Sequence, residues 1–280
     1  MLNFVAKRFV AGQNADQALH NVNLLYQDGI VSTLDVLGEN VSSKADVEST
    51  VSEYHKLLDK IFQAKVSAGI SIKLTQLGLD IEMAYCKQAL RRILEKASQY
   101  NIFVRIDMES SFYTQKTLDI FLSLQEEFPR MGIVIQAYLH RSKEDIKLLA
   151  DRKASVRVCK GAYDEKESIA LKNMDEIRTQ YQWMVQTLWS AGCKVALATH
   201  DDLLINWAVE KISTKPEYQS ISEFQMLYGL RRQKAKELAS QGYRVRAYVP
   251  YGKVWFPYFY RRLRERKENL WFVLRGILND

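Results

Sequence analysis

The sequence lacks the long apolar run that a membrane-spanning helix needs. No stretch of its 280 residues approaches the roughly 20 consecutive apolar residues that cross a bilayer. The first residues, MLNFVAKRFVAGQ, are interrupted by Lys7, Arg8 and Gln13 before a secretory hydrophobic segment can form. With 47% hydrophobic and 26% charged residues, the composition is that of an ordinary folded globular protein. We therefore expect a cytoplasmic protein that is neither disordered nor a bundle of membrane spans.

Cysteine and histidine are too few and too scattered for a disulfide framework or a protein-bound metal. Cys86, Cys159 and Cys193 are odd in number, lie far apart and match no zinc-ligand spacing, which predicts buried thiols. The four histidines contain no metalloprotease pair. We expect no metal site.

Two nucleotide-binding motifs are also missing, namely the G-x-G-x-x-G fingerprint after the first strand and the Walker motif. The first absence counts against a doubly wound open sheet, which is the structural alternative to a closed barrel. No long linker rich in Ser, Pro or Gly divides the chain, so a single domain is the simpler interpretation.

Short apolar or β-branched runs recur eight times, each followed by a turn and a longer stretch with helical spacing of apolar residues. The runs cover residues 30–38, 69–78, 102–110, 132–139, 155–163, 194–201, 223–229 and 243–252. This alternation predicts an α/β fold, a (β/α)8 TIM-like barrel with extra N-terminal helices. We expect one domain over 1–280, with flanking helices in 1–29, the barrel in 30–267 and a helical tail in 268–280.

Polar side chains recur where the predicted strands end, which is the edge at which a barrel of this kind carries its active site. They are Asp35, Glu39, Lys73, Asp107, Glu109, Gln136, Tyr138, Arg157, Lys160, Tyr163, Thr199, His200, Asp201, Gln225 and Tyr248. Lys73, Asp107 and Arg157 interrupt strands that should be wholly apolar, because burying a lone charge costs on the order of several kcal/mol. A paired ionic layer at the barrel mouth is one explanation. Several such residues at one end favour a functional site.

The segment YRRLRERKEN (260–269) follows the eighth predicted strand and an aromatic run, VWFPYFY. Arg261 and Arg262 diverge by about 100° on a helix, so they can clamp a small anion from two angles, or one of them can enter a salt bridge instead. Glu265 lies four residues after Arg261 and can hold its side chain. The segment predicts binding of a small carboxylate.

The net charge of +7 and the pI near 9.1 would also suit an anionic macromolecule, which gives a competing hypothesis of a basic module for nucleic acid or lipid. The lysines and arginines alternate with Glu and Asp along the predicted helices, as on ordinary solvated faces. We therefore expect no nucleic-acid partner.

Eight motifs, in order, resemble those of the proline dehydrogenase family. They are SIKLTQLG, RIDMES, QAYL, RVCKGAY, ATHD, EFQMLYG, AYVPYG and YRRLRE, within a match from about Leu34 to Glu265. The resemblance implies a distorted (β/α)8 barrel that binds FAD and oxidises L-proline to Δ1-pyrroline-5-carboxylate. It also implies a membrane quinone as electron acceptor and a place as the first step of proline degradation to glutamate. Because the chain is too short for an aldehyde dehydrogenase module, we expect a monofunctional enzyme with pyrroline-5-carboxylate dehydrogenase acting downstream.

The resemblance also implies a role for individual residues. Asp107 and Arg157 are expected to be catalytic, while Lys73, Arg261 and Arg262 bind the substrate carboxylate. The expected pocket walls are Tyr163, Leu227 and Tyr248. The expected flavin-binding residues are Met108, Gln136, Arg157, Lys160, Gly161, Ala162, Thr199 and His200. Glu39 is expected to pair with Arg261 and close the site, with Glu265 beside it. Cys159 departs from the apolar residue that is common at its position, without removing a chemical group.

Two alternatives remain open on the sequence. A different flavin-dependent barrel, such as a folate reductase, would use NADH and bind a large pterin. The apolar tail LWFVLRGILND (270–280) either packs on the outer helices of the barrel or makes peripheral contact with the inner face of the cell membrane.

Overall fold

Eight parallel strands form a closed barrel in chain order in the computed structural model, which describes residues 9–38 and 41–254. The strands are β1 Val31–Val36, β2 Ala68–Ile72, β3 Val104–Ile106, β4 Met131–Gln136, β5 Ser155–Cys159, β6 Val195–Ala198, β7 Ser222–Leu227 and β8 Val245–Tyr251. Each strand pairs with the next, and β8 pairs with β1 over residues 246–251 to close the barrel. The predicted (β/α)8 barrel is therefore confirmed.

Helices connect the strands on the outside, as the right-handed parallel crossover requires. They are α1 Ala15–Gln27, α2 Lys44–Ala64, α3 Met83–Gln99, α4 Ser111–Leu124, α5 Ser142–Asp151, α6 Met174–Ser190, α7 Asp202–Thr214 and α8 Arg232–Ser240, with 3-10 turns at Leu74–Leu77 and Pro216–Ile221. Helix α1 precedes β1, in the region where flanking helices were expected. Among the described residues, no helix combines the length and the apolar character that a membrane crossing demands.

The sequence forms these helices through apolar spacing and capping residues. In α2, the buried positions Val47, Val51, Tyr54, Leu58 and Ile61 recur at intervals of three and four, which gives one apolar face against the strands. The other helices follow the same rule. At the start of α6, the side chain of Asn173 accepts hydrogen bonds from two backbone N–H groups, and two acidic residues in the first turn face the positive end of the helix dipole.

All eight predicted strand regions contain a strand, but the strands are shorter than the regions. The region 102–110, for example, yields only β3, Val104–Ile106, and the residues after it form the loop to α4. The apolar pattern continues past the last sheet hydrogen bond because the first loop residues are still buried, as Met108 and Glu109 are. The residues after each strand are therefore fixed by packing at the edge where the site was expected.

Strand side chains alternate between a helix-facing apolar layer and a polar barrel interior. In β7, Phe224 and Met226 belong to the apolar core, whereas Gln225 contacts Arg157 of β5. Strands β5 and β7 are not neighbours, so their side chains can meet only through the barrel interior. The same reasoning places Asp107, Tyr248 and Ser71 inside, because each lies in or next to a strand that is not adjacent to its hydrogen-bond partner.

Candidate active site

Asp107 is the centre of a hydrogen-bonded cluster in the upper barrel interior. Its Oδ1 accepts from Nη1 of Arg157 at 2.7 Å, and its Oδ2 accepts from the hydroxyl of Tyr248 at 2.7 Å. The guanidinium of Arg157 lies 5.3 Å from the centroid of the Tyr248 ring, so the three groups contact each other in pairs. Nη2 of Arg157 also reaches the hydroxyl of Ser71 at 3.2 Å. One carboxylate thus orients a cation and a phenol from two other strands.

Lys73 and Asp35 form a second ion pair beside this cluster. Nζ of Lys73 lies 2.9 and 3.0 Å from the two carboxylate oxygens of Asp35, and the two side chains are 8% and 0% exposed. Burial raises the pKa of Asp35, and the charge of Asp107 adds to the effect, while the charge of Lys73 opposes it. The pair places a cation at the end of β2 that is held by a carboxylate from β1.

The ends of β4, β5 and β6 carry a separate set of polar groups. Nε2 of Gln136 donates to the carbonyl oxygen of Glu109 at 2.8 Å, and Thr199 is buried. Lys160 and Arg178 both contact Oδ2 of Asp201, at 3.0 and 2.9 Å. Burial alone would raise the pKa of Asp201, but the hydrogen bonds and charges of these two cations outweigh it and lower the pKa.

His200 joins the end of β6 to the end of β7. Its Nε2 accepts a hydrogen bond from the backbone N–H of Leu227 at 2.9 Å. A neutral imidazole whose Nε2 accepts carries its proton on Nδ1. His200 therefore presents Nδ1–H as a donor at the barrel mouth while its other nitrogen holds the strand end in place.

Gly161 brings the backbone after β5 close to the ring of Tyr138. Its φ is 124°, a conformation that side chains rarely allow, and an added Cβ would overlap the Tyr138 ring. The chain therefore approaches the barrel mouth here without a side chain in the way. Lys160 precedes this glycine and Ala162 follows it, both partly exposed.

The loop from β5 to α6 is tied to two neighbouring elements. The carboxylate of Glu165 accepts from the backbone N–H and the hydroxyl of Ser111, at 2.7 and 2.6 Å, at the start of α4. Further along the loop, the N–H of Leu171 donates to the carbonyl oxygen of Tyr138 at 2.7 Å. These contacts hold the half-buried Tyr163, which lies two residues before Glu165, at the barrel mouth.

The structure brings together one group of the predicted site residues and places the others around it. Lys73, Asp107, Arg157 and Tyr248 lie in the two ion-paired clusters. The residues at the ends or in the following loops of β3 to β7 are Met108, Gln136, Lys160, Gly161, Ala162, Tyr163, Thr199, His200 and Leu227. The predicted roles of Glu39, Arg261, Arg262 and Glu265 fall outside the described residues.

One detail of the thiol prediction is wrong. Cys86 and Cys193 are buried, but Cys159 is only half-buried, because it ends β5 at the open edge of the barrel. Burial raises the pKa of the Cys86 thiol to about 12 and also raises that of Cys193. In the described ranges, no three His, Cys, Asp or Glu side chains are grouped so that they could hold a metal ion.

Several residues that build the site had no assigned role in the sequence motifs. Asp35 and Asp201 supply the partners of Lys73 and Lys160, and Arg178 of α6 reaches back to Asp201. Asp35 could have been selected because it is a carboxylate within an otherwise buried strand. Arg178 gave no such signal, since an arginine on an amphipathic helix is ordinary.

The fold and the site define a (β/α)8 barrel enzyme with a cationic, carboxylate-braced active site. The family model described as proline dehydrogenase matches residues 18–275. Proline dehydrogenase 1 of Bacillus subtilis (strain 168) is 40% identical over 273 residues, covering 98% of this chain and 90% of that protein. The proline dehydrogenase of Deinococcus radiodurans is 37% identical over 279 residues, with the same two coverages.

A solved structure shares the fold at higher precision than sequence identity alone would indicate. Proline utilization A (PutA) from Bdellovibrio bacteriovorus, inactivated by N-propargylglycine, superposes with a TM-score of 0.88 at 26% identity. The match covers 94% of this chain and 33% of that one, so the chain corresponds to about a third of the PutA protein. The chain belongs to the proline dehydrogenase family of oxidoreductases, and this membership implies a flavin cofactor in general.

Proposed function

We propose that the protein catalyses the FAD-dependent oxidation of L-proline to Δ1-pyrroline-5-carboxylate, the first step of proline degradation to glutamate, with a membrane quinone as electron acceptor. The observation that carries this proposal is the cluster in which Asp107 holds Arg157 and Tyr248 beside the Lys73–Asp35 pair. Family membership supplies the reaction, and the cluster supplies the groups that it needs.

The charge of the barrel interior suits a substrate with a carboxylate. The cations Lys73, Arg105, Arg157 and Arg246 outnumber the anions Asp35, Asp107 and Glu223 among the described interior side chains. In a site that excludes water, a cationic excess attracts an anionic group more strongly than it would in bulk water. Lys73 is the described candidate for the substrate carboxylate, and the motif assigns Arg261 and Arg262 to the same task.

The residues at the ends of β3 to β6 fit a flavin. The glycine at position 161 lets a planar ring system approach the backbone, and Lys160 with Arg157 supplies positive charge that favours a reduced, anionic flavin. The other residues proposed to hold FAD are Met108, Gln136, Ala162, Thr199 and His200. When bound, FAD supplies the oxidising chemistry by accepting the equivalent of a hydride from the carbon next to the substrate nitrogen.

The protein's own residues bind, orient and enclose the substrate. Tyr163, Leu227 and Tyr248 are proposed as the walls of the ring pocket, and the hydroxyl of Tyr248 is fixed by Asp107 at 2.7 Å. Holding a reactant in one reactive geometry lowers the barrier by avoiding a loss of freedom at the moment of reaction. Glu39 and Glu265 are proposed from the sequence alone to pair with Arg261 and close the site.

The test of this function is an absorption spectrum of the purified protein under anaerobic conditions before and after L-proline is added. We expect a flavin spectrum that bleaches with L-proline and does not bleach with NADH. Bleaching by NADH alone would select a folate-reductase-like enzyme instead. A colourless protein that binds DNA in a salt-dependent way would support a basic binding module and would overturn the proposal.

The electron acceptor and the membrane contact need their own experiment. We expect proline-dependent reduction of a soluble quinone, with Δ1-pyrroline-5-carboxylate detected by mass spectrometry and passed to pyrroline-5-carboxylate dehydrogenase. Co-sedimentation with liposomes, with and without residues 268–280, tests peripheral contact of the tail. Equal sedimentation of both forms would count against a role of the tail at the membrane.

A further inference from the structure

Two side chains of β7, Glu223 and Gln225, lie directly below Arg157 in the barrel interior and have no part in the function proposed above. They occupy alternate positions of one strand, so both point inward. The side chain of Glu223 is 13% exposed, and Gln225 as a residue is 4% exposed. A buried carboxylate and a buried amide in contact need a reason, because each costs free energy unless its hydrogen bonds are made.

Glu223 is fixed by two arginines at the lower end of the barrel. Its Oε1 accepts from Nε of Arg246 at 2.7 Å, and its Oε2 accepts from Nη2 of Arg246 at 3.0 Å and from Nε of Arg244 at 2.6 Å. Burial by itself would raise the pKa of Glu223, but Arg246, Arg244 and Gln225 outweigh it and lower the pKa to about 2. At neutral pH Glu223 is therefore an ionised group that can only accept hydrogen bonds.

The ionised Glu223 decides which way the amide of Gln225 faces. Nε2 of Gln225 donates to Oε1 of Glu223 at 2.6 Å, and Oε1 of Gln225 accepts from Nε of Arg157 at 2.5 Å. The carboxylate offers only acceptors and the guanidinium offers only donors, so the reverse orientation of the amide would lose both hydrogen bonds. The amide oxygen is thereby directed at Arg157.

Arg157 is consequently held on three sides. Gln225 binds its Nε, Asp107 binds Nη1 at 2.7 Å, and the hydroxyl of Ser71 binds Nη2 at 3.2 Å. A continuous series of side-chain hydrogen bonds runs from Glu223 through Gln225, Arg157 and Asp107 to Tyr248. Such a series transmits position: displacing one member moves the planar guanidinium that the next member binds.

We propose that Glu223 and Gln225 are positioning residues for proline oxidation, and that they act by fixing the guanidinium of Arg157, and through it Asp107, at the barrel mouth. This inference rests on the proposed function. It predicts that the amide at position 225 matters for its two opposite hydrogen bonds, one donated and one accepted, and not for its bulk.

The first test is Gln225→Leu, which keeps the approximate volume and removes both hydrogen bonds. We expect kcat/KM for proline to fall on the order of tenfold or more, because a misplaced catalytic group lowers the rate steeply. The matched control is Gln219→Leu, which removes an exposed side chain that donates to the carbonyl oxygen of Gly242 at 3.2 Å outside the barrel interior. The control should retain the wild-type kcat/KM.

The second test is Gln225→Glu, which keeps the shape and can restore both hydrogen bonds in one protonation state. A protonated carboxyl at this position can donate its O–H to Glu223 and accept from Arg157, as the amide does, whereas the ionised form cannot donate. The charged groups that face this position are Glu223 on the same strand, Arg157 on β5, Arg246 on β8 and Asp107 after β3. All of them contribute to its titration.

We therefore expect kcat/KM of Gln225→Glu, divided by the wild-type value at each pH, to rise as the pH is lowered. The same ratio for Gln225→Leu should stay flat, because leucine has no proton to gain. A part that served only to stabilise the fold would shift the thermal midpoint of both variants without creating a pH-dependent ratio.

The outcomes separate this inference from the function on which it rests. If L-proline does not bleach the flavin of the wild-type protein, the proposed function fails and the inference falls with it. If the wild type is bleached but Gln225→Glu follows the wild-type pH profile in parallel, only the inference is overturned. A Gln225→Leu protein with bound flavin and kcat/KM within twofold of the wild type would overturn it equally.

Discussion

The upper and lower parts of the barrel interior both contain buried charges, but they pair them differently. In the upper part, each of Lys73 and Arg157 contacts a single carboxylate, Asp35 or Asp107. In the lower part, Glu223 is shared by Arg244 and Arg246. The lower part contains more cationic than anionic charge, and the upper part is balanced. The difference indicates that the lower part is a fixed electrostatic base, whereas the upper part can exchange a partner for a substrate.

Arg105 shows how far the lower part departs from simple ion pairing. Its guanidinium donates to the carbonyl oxygens of Ser155 and Ile133, at 2.8 and 3.2 Å, and contacts the hydroxyl of Ser155 at 3.3 Å. It lies where Gly132 has no side chain, since a Cβ there would overlap it. Burial, together with the charges of the other interior arginines, lowers its pKa. In the described part of the chain, no carboxylate lies within hydrogen-bond contact of this group.

The largest expected effect on stability comes from Lys73→Met. This change leaves Asp35 buried without its cation, and breaking a buried pair costs about 3–5 kcal/mol of the free energy of unfolding. The raised pKa of Asp35 sets the sign of the pH dependence: the folded state gains a proton more readily than the unfolded state, so the loss should shrink as the pH falls. Urea unfolding between pH 5 and 8 on the order of one-unit steps measures both effects.

The double variant Lys73→Met with Asp35→Asn separates stability from substrate binding. Removing both charges should restore most of the free energy of unfolding, because no uncompensated charge remains buried. If Lys73 binds the substrate carboxylate as proposed, the KM for proline should stay raised in the double variant. Full recovery of KM together with stability would reduce Lys73 to a structural role.

The next effect is expected in the lower part, for Glu223→Gln. The pKa of Glu223 is lowered from 4.5 to about 2, so its ionised form stabilises the fold by on the order of 3 kcal/mol at neutral pH. This contribution is complete above about pH 4.5 and is lost as the pH falls through about 2. The difference in unfolding free energy between wild type and variant should therefore narrow on acidification.

The control for Glu223→Gln is Glu126→Gln, which changes a carboxylate that is 88% exposed and pairs with Arg152 at 3.3 Å on the surface. An exposed pair of this kind contributes about 0–1 kcal/mol. A Glu223→Gln protein whose unfolding free energy follows the wild type in parallel across the acidic range would contradict the lowered pKa.

Asp107→Asn should have its main effect on catalysis. The asparagine can still accept from one partner but no longer offers a charged oxygen to both Arg157 and Tyr248, so the two groups lose their common anchor. We expect kcat/KM for proline to fall about 100-fold, which is the scale of a misplaced reactive geometry. Asp119→Asn on α4, whose carboxylate binds Gln115 at the surface, is the matched control. Steady-state kinetics with flavin content measured in parallel would expose a loss that is due only to missing cofactor.

The fold could be predicted from the sequence further than the site could. Apolar β-branched runs announce each strand, because a strand of a closed barrel packs against helices along its whole length. Lys73, Asp107 and Arg157 could be selected because they interrupt such runs. Their partners could not, since the Asp35–Lys73 contact spans 38 positions and the Arg157–Gln225 contact spans 68. Which side chains meet across the interior depends on the stagger of the closed sheet, and local patterns do not contain it.

The smallest effect should follow from Arg105→Met, which removes a cation from the lower part without orphaning a carboxylate. Replacing a buried charge by an apolar side chain of similar length is often close to neutral, so we expect the free energy of unfolding to change by less than about 1 kcal/mol. The kcat/KM for proline should remain within about threefold of the wild type, because Arg105 makes no hydrogen bond to the upper cluster. Chemical denaturation and steady-state kinetics on the same preparation test both statements. A large loss of kcat/KM with unchanged stability would show that the lower arginine is part of the catalytic field and that the two parts of the barrel interior are not separable.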